Sequence, residues 1–367
     1  MNSKTSSNQG DSKKGLSLSL RFLVIFLTIV LGVIVVVVMR FYPFYIYQNG
    51  CVTYCEGEIC TDEDLASLSA SGSGSDEDPY IIVNRTFVQV QIKSDCISSS
   101  FIMRNCLITY HWNEYYWNGF TIGDTDQYIS IENNTFESGF LGIANCKNVN
   151  ISNNTFLEDS TGLTVGDYCI NVNITGNHFV NGGIIFSPLN DIYFDFAGEF
   201  ANNFANGKPI GFFRNMHNLV INESYSQIFV LFSMNITILN QTISNTFVGI
   251  DLYRCSNVTI RFCQISNSAY GVTASYVFYF LIEKNEFIDN YWEQVNIWDS
   301  NCTVYNNNFI KNNPSDYNQA EACYCQTSIW DYNYWSDWDG VNPYPIGDCT
   351  ADQTFDNYPL ENPLELF

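Results

Sequence analysis

The chemistry-bearing pattern that recurs most often in this chain is asparagine followed two positions later by Ser or Thr. Such triplets stand at Asn84, Asn133, Asn150, Asn153, Asn173, Asn222, Asn235, Asn240, Asn257 and Asn301. Each is a glycan acceptor in a host that has the transferase. A chain with 44 Asn also generates such triplets by chance, so the fold must decide which are reachable. Aromatic residues form two further groups, Trp112, Tyr115, Tyr116 and Trp117 in one and Trp292 and Trp298 in the other. Their rings can stack on sugar faces while acids hold the hydroxyls; packing in the core is the competing use of any one ring. Asp337, Asp339 and Asp348, with Gly340 and Gly347 between and beside them, offer oxygen ligands suited to calcium, and a loop capping the end of the fold is the competing role. Copper is disfavoured, because only three His are present and Met216 beside His217 is the one adjacent Met–His pair. Acids are scattered, so no catalytic residue is assigned. The formal charge of −23 repels phosphate backbones and excludes nucleic acid as a partner.

The elements that hold these residues follow from a repeat. Taking Ile131, Ile151, Ile174, Ile238, Ile260, Ile282 and Val304 as position zero, apolar residues recur two before and five after, with polar residues between them. A period near 22 with alternating short β-branched runs predicts an all-β parallel β-helix, one coil per repeat and roughly ten coils between Pro79 and Ile310. Three positions after zero stand Asn134, Asn154, Asn177, Gln241, Cys263, Asn285 and Asn307. Stacked at about 4.8 Å, such amides form a ladder along the coil corners. Eight of the ten triplets can be assigned an offset, and none of these falls on an inward position, so their side chains are expected outside. Cys146 and Cys169 both lie five before their central isoleucines and should meet on adjacent coils, as contact or as a disulfide.

Residues 1–20 read as a cytoplasmic tail and 21–42 as a transmembrane helix, because Phe22 to Met39 carry no charge and the preceding Lys and Arg place the tail inside. The body is then extracellular or periplasmic. Thirteen Cys suit that oxidising side. Residues 43–78 read as a cysteine-containing juxtamembrane segment and acidic Ser/Gly linker, 79–332 as the β-helix, and 333–367 as a cap in which Tyr334 and Trp335 plug the open end.

Four ordered motifs carry a resemblance over about residues 72–361. These are Asp78-Pro79-Tyr80-Ile81-Ile82; Asn206-Gly207-Lys208-Pro209-Ile210; the run from Ile243 to Ile250; and Asn333-Tyr334-Trp335-Ser336-Asp337 together with Asp356-Asn357-Tyr358-Pro359-Leu360. In them the chain resembles the NosD-like right-handed parallel β-helix proteins, also called carbohydrate-binding and sugar-hydrolysis domains, in their membrane-anchored archaeal form. The resemblance implies a surface or accessory protein. The expected function is a membrane-anchored binding scaffold for glycans or surface partners. The alternatives are an accessory subunit of an ABC transporter or copper-enzyme maturation system, and a polysaccharide lyase or glycoside hydrolase.

Overall fold

The computed structural model describes residues 61–88, 91–92, 97–109, 120–187, 198–311, 318–325, 327–341, 343–347 and 354–367. Contacts divide the chain into units 1–53 and 54–367. The first unit, and with it the span expected at 21–42, lies outside the described residues. Among the described residues no helix is long and apolar enough to cross a membrane.

The body is a right-handed parallel β-solenoid of about ten coils of about 22 residues. One face of its first half stacks Tyr80–Val83, Phe101–Arg104, Ile129–Glu132, Val149–Ser152, Asn173–Thr175 and Phe200–Ala201, all parallel. The register is the one periodicity requires: Met103 pairs with Ile131, Ile131 with Ile151, and Ile151 with Ile174. All seven position-zero residues are fully buried. Phe136, Phe156 and Phe179 form an inward column with ring centroids 4.5 and 4.6 Å apart.

Buried polar groups need partners, and the asparagine ladder supplies them. The Asn134 backbone and side-chain amides donate to Asn154 Oδ1 at 2.9 and 3.1 Å, Asn154 donates likewise to Asn177, and Asn177 to Asn203. A second ladder runs from Asn285 through Asn307 and Asn333 to Asp356. Gln241 and Cys263 leave the gap between them: the Gln241 side chain turns back to Leu239 O, and Cys263 accepts Gln241 N only through its sulfur while its own N–H donates to Asn285 Oδ1 at 2.9 Å.

Part of the asparagine excess has a different cause. The residue just before each ladder position has positive φ, as at Asn133, Asn153, Asn202, Asn240 and Asn306. Asparagine tolerates this left-handed backbone better than other non-glycine residues. The Asn-Asn pairs of the sequence therefore hold one residue for backbone shape and one for hydrogen bonding.

The irregular stretch between 180 and 235 contains a reversal. Asn206 and Gly207, with φ of 51° and 77°, form a two-residue turn in which Phe204 pairs antiparallel with Pro209 and Ala205 with Lys208. Lys208–Arg214 then starts a second parallel stack continued by Gln227–Leu231, Val248–Tyr253, Tyr270–Ser275, Glu293–Trp298 and Ala320–Cys323. Each half has its own core. Phe229, Leu231 and Tyr253 of the second stack pack into the first core, with Phe186 edge-on to Phe229 at 4.8 Å. Gln227 joins the halves by bonding both the Ile184 N–H, at 3.0 Å, and the Ile184 carbonyl, at 2.6 Å.

Both ends of the solenoid are covered. Residues 61–78 are not the linker that their acidic Ser/Gly composition suggests. Thr61 and Asp64 form a capping box for a helix at Asp62–Leu68, whose Leu65 is fully buried in the first core. The Asp62 carboxylate accepts Ser98 N at 3.0 Å, Ser98 Oγ at 2.6 Å and Ser99 N at 3.1 Å, which docks this helix on the first coils. At the other end Trp335 stacks between Phe309 and Tyr344 at 4.1 and 4.2 Å. Tyr334 is only half-buried, so of the expected pair it is Trp335 that plugs the core.

Candidate functional site

From Gln227–Leu231 onward, each coil of the second stack turns a corner on a residue with positive φ: Phe232, Arg254, Tyr276, Asp299 and Tyr324. The residues immediately before them, Leu231, Tyr253, Ser275, Trp298 and Cys323, are register partners. The corner side chains therefore stand one above another at about the inter-strand spacing of 4.8 Å. Backbone bonds continue through the corners, with Phe232 N donating to Tyr253 O and Tyr276 N to Trp298 O.

Near the upper end of this column Tyr276, Phe278, Asp299, Asn301 and Tyr324 line a shallow groove. Trp298 stands beside it, its ring centroid 5.9 Å from that of Tyr324. Phe278, Trp298 and Tyr324 remain 45, 38 and 54% exposed, a concentration of large aromatic surface that folding alone does not require. Arg254 lies over Tyr253 and Tyr276, 5.6 and 5.7 Å from their centroids, and braces the near wall by cation–π attraction. The groove thus offers flat apolar walls with a carboxylate and an amide between them. Rings of this kind take C–H faces, and the polar pair accepts from and donates to hydroxyls.

Of the aromatic residues expected to bind, Trp298 stands beside this groove, against its lining residue Tyr324. Trp292 does not: at the other end of the same strand it packs edge-on against Phe247 and Tyr270, at 5.3 and 5.0 Å. Trp112, Tyr115, Tyr116 and Trp117 lie outside the described residues. The two calcium candidates among the described residues, Asp337 and Asp339, each hold protein partners. Asp337 accepts hydrogen bonds from the Tyr344 hydroxyl and the Gln319 amide, and Asp339 accepts Val341 N at 2.9 Å in a local turn. Asp348 is outside the described residues, among which no group of three or more His, Cys, Asp or Glu is placed to hold a metal.

Cys146 and Cys169 do meet on adjacent coils, Ile170 N donating to Cys146 O at 2.9 Å, but both are thiols rather than a disulfide. Parallel neighbours hold side-chain origins about 4.8 Å apart, wider than the roughly 3.8 Å a disulfide prefers. Their sulfurs face carbonyls instead, Cys146 to Ala144 O at 3.0 Å and Cys169 to Asp167 O at 3.7 Å. Burial pushes these thiols up to about 12 and about 11, which keeps them unreactive. Cys323 is disulfide-bonded.

The asparagines of the glycan triplets face outward: Asn84, Asn133, Asn153, Asn173, Asn222, Asn235, Asn240 and Asn257 are exposed, while Asn150 and Asn301 are half-exposed. Several are engaged with neighbours. Asn257 Nδ2 donates to Asn235 Oδ1 at 2.9 Å, and Asn235 Nδ2 to Asn218 Oδ1 at 2.8 Å.

Four of the five groove residues, Tyr276, Phe278, Asp299 and Tyr324, were not singled out by periodicity, although a signal exists for the corner column. Phe232, Arg254 and Tyr276 all lie six before their central residues, but the next coil places Trp298 at that offset and Asp299 at the corner. One extra residue in that coil shifts the column out of phase.

A separate acidic column lies on the outer face of the sheet that begins with Lys208–Arg214. Asp251, Thr273, Asn296 and Glu321 are successive register partners, with Thr273 Oγ1 donating to Asp251 at 2.7 Å and Asn296 Nδ2 to Glu321 at 3.0 Å. Burial raises the Asp251 carboxyl to about 6, partly offset by the Thr273 hydroxyl. Burial and then the Glu321 charge raise Glu293 to about 7. None of these acids lines the groove. A raised carboxyl favours the folded state while protonated, so the Asp251 contribution is present below its ordinary value of 3.8 and is lost as pH rises towards about 6. Asp251→Asn should therefore leave stability unchanged near pH 3 and increase it at pH 7, measured by urea unfolding beside the wild type at both values. Equal effects at both would refute this assignment.

A profile described as a right handed beta helix region matches residues 199–330, across the reversal and most of the second stack. No characterised protein matches the sequence significantly. Among solved structures, the chain is similar to the A-module of the Azotobacter vinelandii mannuronan C-5 epimerase AlgE4, at 12% identity and TM-score 0.33, covering 85% of this chain and 95% of that one. It is also similar to PfbA, a surface adhesin of Streptococcus pneumoniae, at 11% identity and TM-score 0.26 over 77% and 91% of the two chains. The catalytic unit of a GH87 alpha-1,3-glucanase from Streptomyces thermodiastaticus is similar at 9% identity and TM-score 0.21 over 84% and 72%. These are likenesses of fold.

Proposed function

We propose that the protein is a carbohydrate-binding scaffold that takes glycans in the groove between Tyr276 and Tyr324. The observation that carries this reading is the exposed aromatic surface of Phe278 and Tyr324, lining the groove with Asp299 and Asn301 and extended by the neighbouring Trp298. Sugar rings are amphipathic, with flat C–H faces and hydroxyl edges, and this combination of side chains meets both. The absence of Asp251, Glu293 and Glu321 from the groove favours binding over hydrolysis, which needs two carboxylates flanking the scissile bond. In this reading the chain is a NosD-like surface protein. Its uncharged run at 22–39 anchors it in the membrane with the body outside, and the exposed Asn triplets accept glycans where the host supplies them.

The test is a glycan array probed with the purified protein, followed by titration of any oligosaccharide that binds. Tyr324→Ala and Trp298→Ala should each weaken binding about tenfold, since one ring contact contributes about 1.4 kcal/mol, while unfolding midpoints stay near the wild-type value. Failure of every glycan to bind, or equal affinity in both variants and wild type, would overturn the reading.

A further inference from the structure

We infer that the ligand is a linear, extended β-1,4-linked polysaccharide lying along the solenoid axis from Phe232 to Tyr324, one sugar per coil. This rests on the groove being a glycan site and extends it to a track. The corner column alternates in character: ring at Phe232, cation at Arg254, ring at Tyr276, carboxylate at Asp299, ring at Tyr324. With one coil advancing about 4.8 Å, the three rings recur about every 10 Å.

An extended pyranose chain joined through equatorial bonds is a ribbon whose residues advance by nearly the spacing of one coil. It turns about half a revolution at each linkage. Every second sugar then presents the same face in the same direction. The column carries a ring on every second coil, Tyr324 exposed and Phe232 and Tyr276 half-buried with Arg214 and Arg254 over them, so its outer edge meets such a ribbon in phase along its length. The intervening sugars come opposite Arg254 and Asp299, where hydroxyl and ring oxygens find a donor and an acceptor. An α-linked glucan coils instead, and leaves this phase within a few residues.

A second column runs parallel to the first, three residues beyond the corners at Asn215, Phe232, Arg254 and Tyr276. Asn218, Asn235 and Asn257 hold their amides in a fixed file by the bonds described above, and Tyr279, 79% exposed, continues the file on the next coil. The track therefore has a ring-and-charge side and an amide side, both in step with the coil rise.

The experiment is isothermal titration of the full chain with β-1,4-linked glucose, mannose, xylose and N-acetylglucosamine oligomers of two to six residues, beside maltose oligomers of the same lengths. For at least one β-linked series, affinity should rise to the pentamer and then level off, with no comparable rise for the maltose series. Phe232→Ala should lower pentamer affinity about tenfold and leave disaccharide affinity unchanged, which also reports an intact fold in the same sample. Tyr324→Ala should lower affinity at every length. Affinity that is level beyond the disaccharide, or an equal rise for maltose oligomers, would overturn the track while the groove stands. Binding confined to glycans outside the β-linked panel would also overturn the track alone, and binding of no glycan at all would remove groove and track together.

Discussion

Asn154→Ala is expected to cost about 4 kcal/mol, because it strands several buried groups at once. The Asn154 carbonyl oxygen accepts Asn134 N at 2.9 Å and Asn134 Nδ2 at 3.1 Å, and its amide donates to Ile131 O at 2.8 Å and Asn177 Oδ1 at 3.0 Å. Alanine removes all four bonds in a site with no exposure, where water cannot replace them. Each unsatisfied group carries a penalty of about 1–3 kcal/mol. The adjacent Asn153 provides the control. Its side chain is exposed and its φ is 55°, so Asn153→Ala gives up only the left-handed preference, about 1 kcal/mol. Denaturant unfolding of the two variants should separate them by several kcal/mol, and similar losses would mean that the ladder contributes no more than the corner.

Asp356→Ala should have a comparable effect by a different route. Asp356 ends the second ladder: its Oδ2 accepts Asn333 N, Asn333 Nδ2 and Trp335 Nε1, each at 3.0 Å, and its Oδ1 accepts Tyr358 N at 3.0 Å. Truncation leaves the two Asn333 donors and the indole N–H without an acceptor in a fully buried site, for a loss of about 4 kcal/mol. The same indole lies between Phe309 and Tyr344, so the plug that closes the apolar core loosens as well. Near-ultraviolet circular dichroism should lose part of its Trp signal in Asp356→Ala before global unfolding. Asp356→Asn keeps one acceptor oxygen and should retain most of both signal and stability. A variant Asp356→Ala with wild-type stability would show that the cap does not depend on the carboxylate.

Coil-to-coil repetition was readable without coordinates, for a physical reason. In a solenoid, residues at one offset repeat the same environment at every coil, so the burial of Ile131, Ile151 and Ile174 and the amide file through Asn134, Asn154 and Asn177 are local consequences of period. Composition misled where it was averaged over a window. The acidic Ser/Gly stretch at 61–78 contains one capping box and one Leu in the right place, and these suffice for a docked helix. Three features depended on contacts between segments that share no offset. Asn206 and Gly207 reverse the chain, and only then do Phe229 and Tyr253, outward residues of the second stack, become part of the first core. The corner column was hidden because one inserted residue moves Asp299 out of the phase kept by Phe232, Arg254 and Tyr276. The groove itself combines Tyr276, Phe278, Asp299, Asn301 and Tyr324 from three successive coils. Periodicity dictates what every coil has in common. The groove arises from what differs between coils, and those differences meet only when the backbone stacks them.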